Sequence, residues 1–181
     1  AATREYVFEI DTPGGAPLLS IYGGKITTHR RLAEEALEKL APYLNGAKAR
    51  EGWTGKSPLP GGDMDVSAVA TLSAELARNF PFLTAAHANR LAHAYGTRAS
   101  KLLGNAKSAG DLGQWFGASL TEAEVRYLMR TEWACTAEDI VWRRSKLGLR
   151  LTPLEIAAID DWISARRVSP ESPLLEAGGR T

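Results

Sequence analysis

The chain of 181 residues contains one cysteine and no long apolar run. A single cysteine, Cys135, excludes an internal disulfide and a zinc site built on clustered cysteines. We expect Cys135 to be a small buried residue at a helix junction, where apolar surroundings make a thiol inert. No apolar stretch approaches the roughly 18 residues that a membrane-spanning helix needs. We therefore expect this polypeptide to be soluble by itself.

The chain also has no large excess of positive or negative charge, and it has no glycine motif for binding a dinucleotide. The formal net charge is +1, so no protein-wide basic field attracts nucleic acid, and no nucleic-acid partner is expected. None of the 17 glycines forms a Gly-x-Gly-x-x-Gly pattern. Because each glycine of that pattern has its own geometric task, the chain is not expected to hold a dinucleotide pyrophosphate alone.

Apolar residues make up 44% of the chain, which is enough for a folded core. Residue alternation predicts strands at Tyr6 to Asp11 and at Leu18 to Tyr22, joined as a hairpin. Apolar spacing over Thr28 to Leu44 predicts an amphipathic helix. Further helices are predicted over Val66 to Phe80, Ala85 to Tyr95 and Thr97 to Leu103.

Three threonines mark later helix starts. Thr121, Thr136 and Thr152 each precede a carboxylate residue by three positions, which is the pattern of a capping box. Apolar residues follow at helical spacing and can meet in one core: Val125, Leu128, Met129, Trp133, Ile140, Val141, Leu147, Ile156, Ile159, Trp162 and Ile163. The predicted fold class is therefore mainly α, a helical bundle preceded by a β-hairpin and a helix.

The candidate ligand site is the segment that joins the second strand to the first helix. Gly23 and Gly24 let a ligand approach the backbone closely, and the start of a helix offers unpaired N–H groups and positive dipole. Lys25 adds a cation. By local pattern alone, an ordinary tight turn with a solvated lysine remains the alternative.

Other residues with possible chemistry give weaker patterns. His87 and His93 lie six positions apart without the glutamate of a zinc-protease helix, so no metal site is predicted. Arg143, Arg144, Lys146 and Arg150 form the densest basic cluster, which we interpret mainly as a solvated helix end or as partners of Glu138 or Asp139. The alternative function is an autonomous helical module that binds protein or nucleic acid through this cluster.

A longer series of motifs resembles the C-terminal part of the FAD-dependent, respiratory glycerol-3-phosphate dehydrogenases. The resemblance runs from about Tyr6 to Ile163. In chain order the motifs are Gly23-Gly24-Lys25-Ile26-Thr27-Thr28-His29-Arg30, Trp53-Thr54, Leu59-Pro60-Gly61-Gly62, Leu91-Ala92-His93-Ala94-Tyr95-Gly96, Glu132-Trp133-Ala134-Cys135-Thr136-Ala137-Glu138-Asp139 and Arg143-Arg144-Ser145-Lys146-Leu147-Gly148.

The resemblance implies a domain organisation and an activity. Residues 1–50 would be the C-terminal remnant of an FAD-binding domain, 51–65 a linker, 66–168 a helical C-terminal cap domain and 169–181 a flexible tail.

The intact parent would oxidise sn-glycerol 3-phosphate to dihydroxyacetone phosphate, with FAD as hydride acceptor and quinone as the next acceptor. Its partners would include the missing N-terminal FAD-binding part and a second copy in a possible homodimer. It would be cytoplasmic and peripheral on the inner membrane, whereas the fragment alone is expected to lack FAD and activity.

The resemblance also implies roles for the candidate segment. Gly23, Gly24, Lys25, Ile26 and Thr27 would bind the cofactor, with the backbone of Gly24 to Thr27 against the pyrimidine edge of the flavin. Lys25 would also contact substrate. His29 stands where family members commonly carry tyrosine. The catalytic base is left unassigned.

Overall fold

The structure, a computed structural model, describes residues 5–12, 14–44 and 52–167, with the side chain of Arg167 excepted. The chain divides into two compact units between Leu59 and Pro60. This division falls within the segment predicted as a linker, although the assignment of the domains themselves stays a prediction. The predicted tail, 169–181, lies outside the described residues.

Unit 1 is a hairpin and a helix, as predicted. Strands β1 (Val7–Asp11) and β2 (Leu18–Tyr22) pair antiparallel, with Val7 opposite Tyr22. A 3₁₀ turn, Ile26–Thr28, leads into α1 (His29–Leu40), and a second 3₁₀ turn, Ala41–Tyr43, follows. The helix ends four residues before the predicted Leu44 because Pro42 has no N–H to continue the hydrogen-bond ladder.

Aromatic side chains tie the hairpin to α1. The Tyr6 hydroxyl donates to Glu35 Oε1 at 2.8 Å, and this bond to a carboxylate raises the pKa of Tyr6. The rings of Tyr6 and Phe8 meet edge to face at 5.3 Å, and Lys39 Nζ lies 5.7 Å from the Phe8 ring. None of the described residues of unit 1 is fully buried. Large apolar side chains therefore stay exposed in this unit: Val7, Leu18, Ile21, Tyr22, Ile26, Leu37, Tyr43, Leu44, Trp53 and Leu59.

Unit 2 is helical, which confirms the mainly α fold class. Its helices are α2 (Val69–Asn79), α3 (Ala85–Tyr95), α4 (Arg98–Leu103), α5 (Glu122–Thr131), a π-helical segment (Asp139–Arg144) and α6 (Pro153–Arg167). Short 3₁₀ turns occur at Val66–Ala68, Ala109–Leu112 and Leu147–Leu149. Between α4 and α5, β3 (Trp115–Gly117) and β4 (Leu120–Thr121) form a small antiparallel ribbon.

A closed core fills unit 2. Most of the apolar residues predicted for it are buried, among them Val125, Leu128, Ile140, Ile159 and Ile163. Burial of each such side chain stabilises the fold by about 1.5–3 kcal/mol relative to exposure. Edge-to-face ring pairs join distant elements, Phe116 with Trp162 and Tyr95 with Tyr127.

Two residues that we expected in the interior are exposed. Trp133 is 85% exposed, because α5 ends at Thr131 and Trp133 takes a left-handed φ of 53° that turns the chain away. Cys135 is also exposed, and its N–H donates to the Asp139 carboxylate at the start of the next helix. The Trp133 expectation was wrong because helical spacing was extended past the end of α5. The Cys135 expectation was wrong because the junction buries Ala134 and Ala137 instead of the thiol.

No helix among the described residues combines the length and apolar content needed to cross a bilayer.

Candidate functional site

The candidate site lies at the corner where β2 leads into α1. Gly23 and Gly24 have φ values of 82° and 101°, in the region that L-residues rarely adopt. A Cβ on Gly23 would lie 2.9 Å from the Glu5 carbonyl oxygen. A Cβ on Gly24 would lie 3.2 Å from Leu32 Cδ1 and close to the Tyr6 ring. Both glycines are thus required by the fold of the corner itself.

Thr28 closes the corner with two hydrogen bonds. Its hydroxyl donates to the Lys25 carbonyl at 2.9 Å and accepts from the Lys25 N–H at 3.3 Å. This local capping uses Thr28, and Thr27 makes no side-chain hydrogen bond within the described residues. Ile26 and Thr27 stand at the first positions of the helical segment, where N–H groups have no partner in the helix. The corner can therefore donate hydrogen bonds to an electron-rich group.

The corner is open to solvent. Gly23, Gly24, Lys25 and Thr27 are all exposed, and Ile26 is 88% exposed. No ion pair of Lys25 is found in the described part of the chain. All five predicted site residues therefore lie on one accessible stretch of chain, Gly23 to Thr27.

His29 has a local role. Its Nδ1 lies 2.6 Å from the Ile26 carbonyl oxygen, so the ring donates to the backbone of the corner and is exposed. No ring contact of His29 occurs within the residues described, so this hydrogen bond accounts for its position.

A second set of contacts holds the segment after Trp53 to α1. Glu34 accepts from the Thr54 N–H at 3.1 Å, from the Thr54 hydroxyl and from Arg30 Nη1 at 3.3 Å. The Thr54 hydroxyl bond, with the Thr54 N–H and the Arg30 charge, lowers the pKa of Glu34. Arg30 also donates to the Thr54 hydroxyl at 3.2 Å. The Trp53-Thr54 motif is therefore fixed to the helix that carries the candidate corner.

We expect Gly23→Ala to destabilise the hairpin by at least about 1 kcal/mol, because alanine is strained at positive φ and its Cβ would press on the Glu5 carbonyl. Native-state hydrogen exchange of the β1 and β2 amides should become at least about fivefold faster. Gly14→Ala is the control, since nothing lies within 4 Å of a Cβ there. Equal exchange in both variants would contradict this prediction.

One buried network of an ion pair and its hydrogen-bond partners was not recognised in the sequence. Glu124 is completely buried and binds Arg90 through two bonds, Oε1 to Nη1 at 2.7 Å and Oε2 to Nη2 at 2.6 Å. The Tyr95 hydroxyl donates to Glu124 Oε1 at 2.6 Å, and burial followed by the Glu124 charge raises the pKa of Tyr95. Arg90 also donates to the hydroxyl and carbonyl of Ser119, at 2.8 and 2.9 Å. We name these four residues the Glu124 network.

The Glu124 network overturns part of the capping prediction. Thr121 does cap α5 by accepting from the Glu124 N–H at 3.4 Å, but the Glu124 carboxylate points into the core. The capping boxes at Thr136 and Thr152 are reciprocal as predicted, with Asp139 and Glu155 accepting from the threonine N–H groups.

The remaining predicted site residues have structural positions. His87 is buried and His93 is exposed, and no metal-ligating cluster of three or more residues occurs among those that the structure describes. Arg143 pairs with Glu138 and Asp139 at 3.0 Å each, as our main interpretation predicted for this residue. Arg144 Nε donates to the Glu132 carbonyl.

Comparison with known proteins identifies the family. The family model for the C-terminal domain of alpha-glycerophosphate oxidase matches residues 53–174, most of the chain. The chain therefore belongs to this family, the C-terminal domain shared by glycerol-3-phosphate oxidases and dehydrogenases. The resemblance inferred from the motifs is confirmed.

Individual relatives agree with the family. The chain is 44% identical over 164 residues to the aerobic glycerol-3-phosphate dehydrogenase of Escherichia coli (strain K12), covering 90% of this chain and 32% of that protein. It is 42% identical over 178 residues to the glycerol-3-phosphate dehydrogenase of Pseudomonas aeruginosa, covering 98% and 34%. It is 42% identical over 165 residues to the D-erythritol 1-phosphate dehydrogenase of Brucella abortus (strain 2308), covering 90% and 32%. The chain spans about a third of the length of these relatives.

Proposed function

We propose that this chain is the C-terminal part of an FAD-dependent dehydrogenase that oxidises sn-glycerol 3-phosphate to dihydroxyacetone phosphate. The observation that carries the proposal is the 44% identity to a glycerol-3-phosphate dehydrogenase over 90% of the chain. The chain spans about a third of such a protein, and without a dinucleotide fingerprint it is not expected to catalyse the reaction alone.

The candidate corner fits a flavin. Its two glycines keep side chains away from the backbone, and the N–H groups of Ile26 and Thr27 are available at a helix start. We propose that the backbone of Gly24 to Thr27 lies against the pyrimidine edge of FAD. FAD, when bound, supplies the acceptor for the hydride that leaves the substrate carbon. Helix-start amides directed at the pyrimidine edge stabilise negative charge there and so raise the reduction potential.

Lys25 supplies a full positive charge at the same corner. It is exposed and stands next to the unpaired amides. We propose that Lys25 attracts the substrate phosphate and stabilises negative charge on the reduced ring. Preorganised charge of this kind contributes several kcal/mol where water is excluded. The substrate class that fits is a small polyol phosphate, since relatives named for glycerol 3-phosphate and for D-erythritol 1-phosphate are nearly equally identical to this chain.

The exposed apolar side chains of unit 1 support a partner for that unit. A unit with no buried residue among those described has little core of its own. We propose that the N-terminal FAD-binding part covers it in the longer protein. Electron transfer to quinone, peripheral attachment to the inner membrane and a possible homodimer belong to the same proposal.

We expect Lys25→Met in the longer, FAD-containing protein to lower kcat/KM for glycerol 3-phosphate at least about tenfold, because a charge-assisted contact to substrate is lost. The flavin reduction potential should fall as well. Steady-state kinetics with a soluble quinone and a spectroelectrochemical titration measure the two effects.

Lys101→Met is the matched control, because Lys101 is an exposed lysine on α4 and its loss changes the net charge equally. An unchanged potential and kcat/KM in Lys25→Met would remove Lys25 from the site. Turnover of glycerol 3-phosphate and D-erythritol 1-phosphate should be compared in the wild type. Absence of activity with both would overturn the proposed function.

A further inference from the structure

Unit 2 has an open groove that the proposed function does not use. It has a volume of about 520 Å³ and lies between the exposed face of α3 and the residue that follows the 3₁₀ turn Leu147–Leu149. Its lining residues are Ala86, Asn89, Arg90, His93, Ala94 and Arg150. The lining holds two arginines, a histidine and an amide, and no carboxylate residue. We propose that this groove, the α3 groove, binds a phosphoryl group.

Arg150 is the cation that the α3 groove offers to a ligand. It is exposed, and none of the ion pairs in the described part of the chain includes it. Arg143, by contrast, is already paired with Glu138 and Asp139. A planar guanidinium matches two oxygens of a phosphoryl group, and this match makes arginine a preferred residue for phosphate recognition.

Arg90 gives the α3 groove a rigid floor. Four of its five N–H donors are used, two by the carboxylate of Glu124 and two by Ser119, which leaves one on Nη1. Its charge is compensated by Glu124, and its side chain is 18% exposed. Arg90 therefore contributes a fixed donor rather than net charge, and the attraction depends on Arg150.

Asn89 and His93 add donors from one face of α3. They are four residues apart, so they lie one turn from each other on the same side of the helix. The Asn89 amide carries two N–H donors, and an imidazole carries at least one in either protonation state. Ala86 and Ala94 have short side chains that leave the groove open. Several donors thus line the same groove as one cation, which suits the three oxygens of a phosphate monoester.

Two kinds of ligand carry such a phosphoryl group, a soluble phosphate monoester and a phospholipid headgroup. With one uncompensated cation in an open groove, we expect weak binding that decreases as salt screens it. The inference concerns unit 2 alone and does not depend on the flavin proposal. Loss of Lys25 function would leave it intact.

The test is a titration of the ¹⁵N-labelled 181-residue chain followed by nuclear magnetic resonance. Inorganic phosphate and glycerol 3-phosphate are added at constant ionic strength. We expect saturable shifts of the Asn89, His93 and Arg150 amides. In Arg150→Gln the affinity should be about tenfold weaker, as for loss of a charged hydrogen-bond partner. Arg143→Gln removes the same charge from a paired arginine and should bind as the wild type does.

A second titration with phosphatidylcholine vesicles, with and without phosphatidic acid, distinguishes the sources. Saturable shifts with soluble phosphate support a site for a phosphate monoester. A headgroup site is supported if the chain binds only to vesicles with phosphatidic acid and if Arg150→Gln abolishes that binding. Unsaturable shifts and no Arg150-dependent vesicle binding would overturn the proposal. Equal weakening in Arg150→Gln and Arg143→Gln would also overturn it, because that result indicates net charge rather than a site.

Discussion

Glu124→Ala should destabilise unit 2 by about 3–5 kcal/mol, the largest effect that we expect of any single substitution in this chain. The carboxylate is completely buried and receives three hydrogen bonds, two from Arg90 and one from Tyr95. Its removal leaves a largely buried guanidinium without its counter-charge and a buried hydroxyl without an acceptor. Urea unfolding followed by circular dichroism measures the change.

The double variant Arg90→Leu, Glu124→Leu separates the charge effect from packing. Replacing both members of a buried pair with apolar residues avoids the unpaired charge, so we expect the double variant to be more stable than Glu124→Ala. Glu138→Ala is the surface control, because its bond to Arg143 is exposed and should cost no more than about 1 kcal/mol. If Glu124→Ala behaves like Glu138→Ala, the Glu124 network contributes no stability.

The Glu124 network also supports the turn between β3 and β4. Ala118 and Ser119 both have positive φ, 46° and 63°, without being glycine. Non-glycine residues at positive φ are strained, and they persist only where surrounding contacts hold them in place. Arg90 donates to both the hydroxyl and the carbonyl of Ser119. One arginine thus joins α3, this turn and the start of α5, and it also forms the floor of the α3 groove.

The sequence predicted those parts of the fold that depend on local chemistry. The β1–β2 hairpin follows from alternation, α3 from its apolar spacing, and the start of α6 from Thr152 and Glu155. These signals lie within a few residues of one another. Trp133 shows the limit of such local signals. The left-handed backbone that follows α5 occurs at this tryptophan and not at a glycine, so the sequence does not mark it.

Long-range partners could not be predicted in the same way. Glu124 has the spacing of a capping residue, and only the folded chain brings Arg90, 34 positions earlier, against it. In the candidate corner, the sequence did not distinguish the neighbouring hydroxyls of Thr27 and Thr28. The structure shows that the Thr28 hydroxyl bonds to both the N–H and the carbonyl of Lys25, whereas the Thr27 hydroxyl has no partner among the described residues.

The second large effect is an acid-induced loss of stability through His87. This side chain is 3% exposed, lies 5.5 Å from the Trp115 ring, and its buried Nδ1 has no hydrogen-bond partner in the described structure. Burial, followed by the nearby positive charge of Arg90, lowers the pKa of His87 to about 4, while Glu124 opposes this shift. The folded state therefore keeps this imidazole neutral.

The sign of the pH dependence follows from the difference between the two states. In the unfolded chain the imidazole has a pKa near 6.5 and takes up a proton as the pH falls below that value, whereas the folded state does so only near pH 4. Stability from this group is therefore complete above about pH 7 and is lost as the pH falls from about 6.5 to 4. The full loss is about 3 kcal/mol.

Comparison of the wild type with His87→Leu isolates this contribution. Carboxylates also titrate in this range, but they are common to both proteins and cancel in the difference. We expect the wild-type free energy of unfolding to fall more steeply between pH 6.5 and 4, by up to about 3 kcal/mol in total. Parallel curves, or a His87 resonance that titrates above pH 6 in the folded protein, would contradict the prediction. The neutral ring beside Arg90 is therefore one reason for unit 2 to be more stable near neutral pH than in acid.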